Sequence, residues 1–336
     1  MSTHCSFSLP WLRVAFRFYG IVWVFAVPTA VLIALSPKNP CFVTISNSNF
    51  AADPEWRRVV FLSGRILKMD YYVYAAILGV VQGVAEFLPI SSSGHLVIAE
   101  ALIQECSSTP LPDWLKGMTM NVALHFGTLL SIAVVYWRDL LDLRKNLRLI
   151  AMIVLASVPV AVIGLIFKDQ IEAAFDSTMA AGCGLLVTAV FLLIARKLQR
   201  GTLDLDKMPA WSAWFIGVFQ AVAILPGISR AGSTVASGLV CGLKRQDAAR
   251  FSFFIAMPAI GGATLLELIK ILRGKVAMDI AWQPMLLGGV ISFVVGVLCL
   301  RWLIRLLVAD RLHWFAIYCL ILGSLTIAWQ SGLLIR

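Results

Sequence analysis

Residues 82–95 read Gln82-Gly-Val-Ala-Glu86-Phe-Leu-Pro89-Ile-Ser91-Ser92-Ser93-Gly94-His95, and from Tyr71 to Ala99 the one formally charged side chain is Glu86. A carboxylate at membrane depth is expensive and is rarely kept without a task. Pro89 ends or kinks a helix, and Ser91-Ser92-Ser93-Gly94 follows it with polar, flexible residues. Broken helices at membrane depth are tolerated where the backbone lines a protein-enclosed or watery cavity. The stretch therefore predicts a hairpin that enters the membrane, breaks near its middle, and presents Glu86, three hydroxyls and His95 to one pocket.

A second stretch answers the first. With a shift of 138, Gly79 to Val97 falls on Gly217 to Val235 without a gap, and nine of nineteen positions are identical. The copies differ where chemistry would sit: Glu86 faces Ile224, Ser92 faces Arg230 and His95 faces Ser233. Arg230 is the one charged residue from Ser212 to Leu243. One copy thus brings a carboxylate and an imidazole, the other a guanidinium. Duplicated halves with interrupted helices that meet at mid-membrane are a known way to build a site inside a bilayer.

Composition agrees. Of 336 residues 60% are apolar and only 14% charged, against about a quarter charged in soluble domains. Mean hydropathy is +0.87. The apolar runs are too long for barrel strands, so the reading is an all-α polytopic membrane protein, an inverted-topology repeat whose two re-entrant helical hairpins carry the active-site motifs. The net charge of +10 points to cytoplasmic loops. No basic block is interleaved with aromatics, which argues against nucleic acid. The seven cysteines show no metal-binding spacing and no disulfide framework.

Residues 1–68 differ from the rest. Val14 to Leu35 is apolar enough to span, as a signal-like or anchor segment, and Asn39 to Phe50 reads as a polar loop. Met69 directly precedes the repeat, which suggests a start there or removal of what precedes it. The membrane domain is then 69–336, with repeats of about 69–195 and 196–336. Two apolar segments, 96–104 and 235–243, are too short for a core of about 30 Å and read as the returning arms of the hairpins. Basic loops at 138–148, 196–207 and 244–250 should be cytoplasmic, and 105–117 and 168–177 outside. The first hairpin then enters from outside and the second from inside. Loop 270–283 must also be outside, although it carries Lys270, Arg273 and Lys275.

The converging groups suit phosphate. Arginine offers a planar fork of donors. Gly94, Gly227 and Gly232 let backbone N–H groups approach an anion, and a helix N-terminus adds its positive end. Ser229, Ser233 and Thr234 add hydroxyls. A serine beside a histidine is the minimum for an activated nucleophile, and Glu86 can orient His95 or hold a divalent cation. Phosphoryl transfer or hydrolysis on an anionic, lipid-tailed substrate follows. Against this stand plainer roles: Ser93 and Ser237 as small residues for helix packing, and His125 as a structural histidine.

The Gln82–His95 motif, together with Pro226-Gly227-Ile-Ser229-Arg230-Ala-Gly232-Ser233-Thr234, resembles the two signatures of bacterial undecaprenyl-diphosphate phosphatases, the bacitracin-resistance family. The resemblance runs from about Met69 to the C-terminus. It implies hydrolysis of undecaprenyl diphosphate to the monophosphate with a divalent cation (Mg or Ca). It also implies a multi-pass protein of the bacterial inner membrane, a pocket open to the periplasm and a possible homodimer. Glu86, Ser92, His95 and Arg230 match the essential positions, and Gln82, Ser91, Ser93, Gly94, Gly227, Ser229, Gly232, Ser233 and Thr234 are expected around the substrate. Gln82 stands where many members have a second carboxylate, which puts a two-carboxylate metal site in doubt. The alternative is a lipid-phosphate transporter or flippase using the same pocket.

Overall fold

Helices form where the apolar runs stand and stop where Pro, Gly or charge interrupts them. A computed structural model describes residues 22–25, 30–36, 39–45, 71–106, 118–199, 201–273, 282–309 and 311–333. The chain divides into two units, Met1–Met69 and Asp70–Arg336. In the first, β1 (Val22–Phe25), β2 (Ala30–Ser36) and β3 (Asn39–Ile45) form an antiparallel sheet in that order. Val22 lies opposite Ala34 and Ser36 opposite Asn39. The described parts of the expected span and of the expected loop are therefore extended. Val, Ile, Trp and Phe favour a pleated backbone, and Pro28 disfavours a continuous helix. An all-α description applies to the second unit; the remainder of the first lies outside the described residues.

The second unit holds α1 (Tyr71–Ala85), α2 (Ser92–Cys106), α3 (Met118–Val135), α4 (Trp137–Leu143), α5 (Leu147–Ile166) and α6 (Lys168–Phe175). These are followed by α7 (Thr178–Leu198), α8 (Ala210–Val222), α9 (Arg230–Val240), α10 (Arg245–Leu272), α11 (Trp282–Val308) and α12 (Leu312–Gln330). Among the described residues five helices (α5, α7, α10, α11 and α12) are long and apolar enough to cross a bilayer, and α3 with α4, bent by 78°, makes a possible sixth span. The protein is an integral membrane protein. At roughly 20 residues per crossing, α1, α8 and α9 are each too short to span alone.

Close helix contacts run through small residues, as expected where lipid supplies no hydrophobic drive between helices. A Cβ on Gly79 of α1 would lie 2.6 Å from the Gly288 carbonyl of α11, and one on Gly127 of α3 would lie 2.2 Å from that of Gly289. Phe87, beside Glu86, is fully buried with its ring 5.7 Å from that of Phe253. The residue bearing the carboxylate is thus anchored in the aromatic core.

Three basic connections lie together. Arg148 donates to the carbonyls of Asp206 and Met208, Arg250 pairs with Asp139 at 2.6 Å, and Lys244 pairs with Asp204. The hydrogen bond from Lys244 holds the exposed Asp204 carboxyl below its usual range, and Asp204 in turn raises Lys244. Elsewhere Lys270 meets Glu172 of α6 at 3.8 Å, so a cation in a segment expected outside sits beside an acid.

Candidate active site

Each motif sits where a short helix breaks and a new one begins. In the first, α1 ends at Ala85 and α2 starts at Ser92; in the second, α8 ends at Val222 and α9 starts at Arg230. Ser92 and Arg230, equivalent under the shift of 138, are therefore both first residues of a helix. Both breaks use the same cap: Ser91 Oγ accepts from the Gly94 N–H at 3.2 Å, and Ser229 Oγ from the Gly232 N–H at 3.0 Å. Such caps satisfy the unpaired donors of a helix start.

The two breaks touch. A Cβ on Gly94 would lie 2.8 Å from Gly227 Cα, and one on Gly232 would lie 3.3 Å from Pro89 Cβ. Gly227 has φ +85°, and a Cβ there would meet the Ala181 carbonyl at 2.0 Å; only glycine fits. Thr188 of α7 staples this turn, donating to the Gly227 carbonyl at 2.9 Å and accepting from the Ser229 N–H at 2.8 Å. Ser91 adopts φ 72°, a left-handed conformation that is uncommon and strained for a non-glycine residue.

Glu86 is the hub. Its Oε1 pairs with Arg230 Nη2, while its Oε2 accepts from Ser92 Oγ at 2.6 Å and from Gln82 Nε2 at 3.0 Å. His125 Nε2 of α3 stands 3.8 Å from the same Oε2. The carboxylate is nearly buried, at 4% side-chain exposure, and a buried charge persists only when paired and hydrogen-bonded. Arg230 Nη1 and Gln82 Oε1 are buried and have no acceptor or donor among the described residues. The guanidinium therefore grips Glu86 with one arm, while the other is buried and has no acceptor among the described residues.

The structure brings Gln82, Glu86, Ser92 and Arg230 together. His95 lies one turn along α2, but its ring nitrogens face the Ser91 carbonyl and the Tyr318 hydroxyl, each at 2.7 Å, rather than Ser92. The Ser91 and Ser229 hydroxyls serve as caps, and Ser93 Oγ lies 3.2 Å from Ser91 Oγ. The Thr234 hydroxyl bonds the Arg230 carbonyl at 2.7 Å and Ser252 at 2.5 Å, while Ser233 Oγ is buried without a partner. Gly94, Gly227 and Gly232 provide the close approach between the breaks. Sequence reasoning missed Thr188, Tyr318 and the placement of His125. For His125 a signal existed, a titratable group on an apolar helix.

A resident divalent cation would meet one carboxylate at this site, Glu86. Among the described residues no group of three or more His, Cys, Asp or Glu side chains could hold one. Glu86 Oε1 pairs with the Arg230 cation, and Oε2 accepts from Ser92 and Gln82, so a metal on this carboxylate would compete with a guanidinium.

Fold and site together define a polytopic membrane protein with an acid–hydroxyl–guanidinium cluster buried between two broken helices. Residues 75–325 match the family described as "Bacitracin resistance protein BacA", and the chain belongs to this family. It is 41% identical over 260 residues to the "Undecaprenyl-diphosphatase" of Rhodopirellula baltica, covering 77% of this chain and 98% of the relative. Proteins of the same name from Desulforapulum autotrophicum (36% over 282 residues; 77% and 98% covered) and Bacteroides fragilis (34% over 267 residues; 75% and 96% covered) are also similar.

Proposed function

We propose that the chain hydrolyses undecaprenyl diphosphate to undecaprenyl phosphate and inorganic phosphate, returning the lipid carrier to cell-wall synthesis and supporting bacitracin resistance. The observation that carries the reading is the Glu86 carboxylate, which holds the Ser92 hydroxyl of one motif and the Arg230 guanidinium of the other. Ser92 Oγ attacks the terminal phosphorus, its proton passes to Glu86 Oε2, and the P–O bond to the lipid monophosphate breaks. Water then releases phosphate from the serine. Arg230 Nη1 and the N-termini of α2 and α9 face the charge that develops on phosphate. His95 completes the set by family resemblance.

An inverted repeat with re-entrant hairpins is supported by reciprocal contacts. A contact between residue a of the first half and b of the second recurs between a + 138 and b − 138. Gly94 against Gly227 becomes Gly232 against Pro89, and Cys319 on the Pro89 carbonyl becomes Ala181 on Gly227. Clustering of the basic connections favours a cytoplasmic face there, which leaves the first hairpin entering from the periplasm of the bacterial inner membrane. A divalent cation, on this reading, arrives on the diphosphate as part of the substrate. Homodimerisation follows from the resemblance and is measured by light scattering in detergent. The unit from Asp70 onward carries the activity, so a chain starting at Met69 should insert and turn over.

The test is phosphate release from a polyprenyl diphosphate by the purified protein in detergent. Release by the wild type and its loss by about two orders of magnitude or more in Ser92→Ala support the proposal. Substrate binding without phosphate release would favour the transporter.

A further inference from the structure

We infer that Tyr318 is a positioning residue for hydrolysis, the group that aims the His95 imidazole. Tyr318 stands on α12, 223 positions beyond His95. A carbonyl oxygen can only accept, so His95 Nδ1, 2.7 Å from the Ser91 carbonyl, carries the ring proton in the neutral imidazole. That leaves a lone pair on Nε2, and the Tyr318 hydroxyl donates to it at 2.7 Å. The two ring planes are also within 10° of parallel, with their centroids 5.6 Å apart.

The imidazole is thereby held at both nitrogens. Ser91 sets its tautomer, and Tyr318 sets the direction of Nε2 by engaging its lone pair, which the hydroxyl must yield when that nitrogen takes a proton in the reaction. Ser92 and His95 sit three residues apart on α2 and share a side of the helix. Turning the ring therefore moves Nε2 relative to the Ser92 hydroxyl. The adjacent Cys319 Sγ reaches the Pro89 carbonyl at 3.8 Å, so α12 meets the first motif through two successive residues. A helix outside both motifs thus orients a side chain within one of them.

The inference rests on the hydrolase reading for its kinetic arm and stands free of it in its spectroscopic arm. Tyr318→Phe keeps the ring and its stacking and removes only the hydroxyl. It should lower kcat about tenfold and leave KM within about twofold. In a His95→Gln background the same change should alter kcat by less than about twofold, since the coupled partner is gone. Nitrogen-15 NMR of histidine-labelled protein in detergent, without substrate, should show the His95 Nε2 resonance shifted in Tyr318→Phe while Nδ1 stays protonated. An unchanged Nε2 resonance overturns the inference whatever the enzyme does. Equal kcat losses in both backgrounds would assign Tyr318 to helix packing alone and also overturn it. Absence of phosphate release by the wild type would instead sink the hydrolase reading.

Discussion

Replacing Arg230 by lysine separates charge from geometry. In the wild type, Nη2 holds Glu86 while Nη1 has no acceptor among the described residues, and in the proposed mechanism Nη1 takes the phosphate. A lysine ammonium keeps the positive charge but cannot present two donors at a fixed angle, so it serves either Glu86 or the phosphate. Loss of one charge-assisted contact to the transition state is worth about 3 kcal/mol, which lowers kcat by roughly 150-fold. Folding should suffer less, because Glu86 keeps a cation. Arg230→Met leaves that buried carboxylate unpaired and should lose about 3–5 kcal/mol of stability. Initial rates of phosphate release in detergent, read beside thermal melts, distinguish the two effects. A wild-type melt with kcat within about threefold of wild type in Arg230→Lys would refute the two-armed grip, because it would show that a point charge suffices.

Three further outcomes concern the frame of the site. Thr188→Val keeps shape but unpairs the Gly227 carbonyl and the Ser229 N–H; at about 1–3 kcal/mol for each orphaned buried group, the melting temperature should fall clearly, and an unchanged melt would remove the staple. Ser91→Gly relieves the left-handed strain at φ 72° and should be neutral or stabilising by about 1 kcal/mol, whereas Ser91→Ala keeps the strain, loses the cap and should destabilise by about 1 kcal/mol; the reverse order in denaturation would contradict the turn geometry. Gly94→Ala places a methyl 2.8 Å from Gly227 Cα and should lose about 1–3 kcal/mol together with most turnover, as the breaks are pushed apart; full activity in the phosphate-release assay would show that their close approach is not needed.

Glu86 and Arg230 were legible because a charge in an apolar run is anomalous without any knowledge of its partner, and Ser92 because the repeat set it opposite Arg230. The helical spans were legible from their length and hydropathy. Several hydroxyls were legible as polar groups but not in their roles: Ser91, Ser229 and Thr234 bond their own backbone. The N-terminal apolar run read as a span, yet its described residues are extended, because hydropathy alone does not separate a strand from a helix. Thr188 and Tyr318 carried no signal, since one threonine or tyrosine in a membrane helix is ordinary. Their partners lie 39, 41 and 223 positions away.

The residue order by itself determined that this is a helical membrane protein, where its helices break, and which side chains are too costly to bury idle, because those follow from local composition and the energy of charge in lipid. Only the tertiary structure decided that Glu86 joins the two motifs, that His125 stands beside it, and that His95 turns to Tyr318 instead of Ser92. Hydrogen bonds depend on tenths of an ångström and on angle, and in this chain those are set by helices far apart in sequence that small residues allow to pack closely.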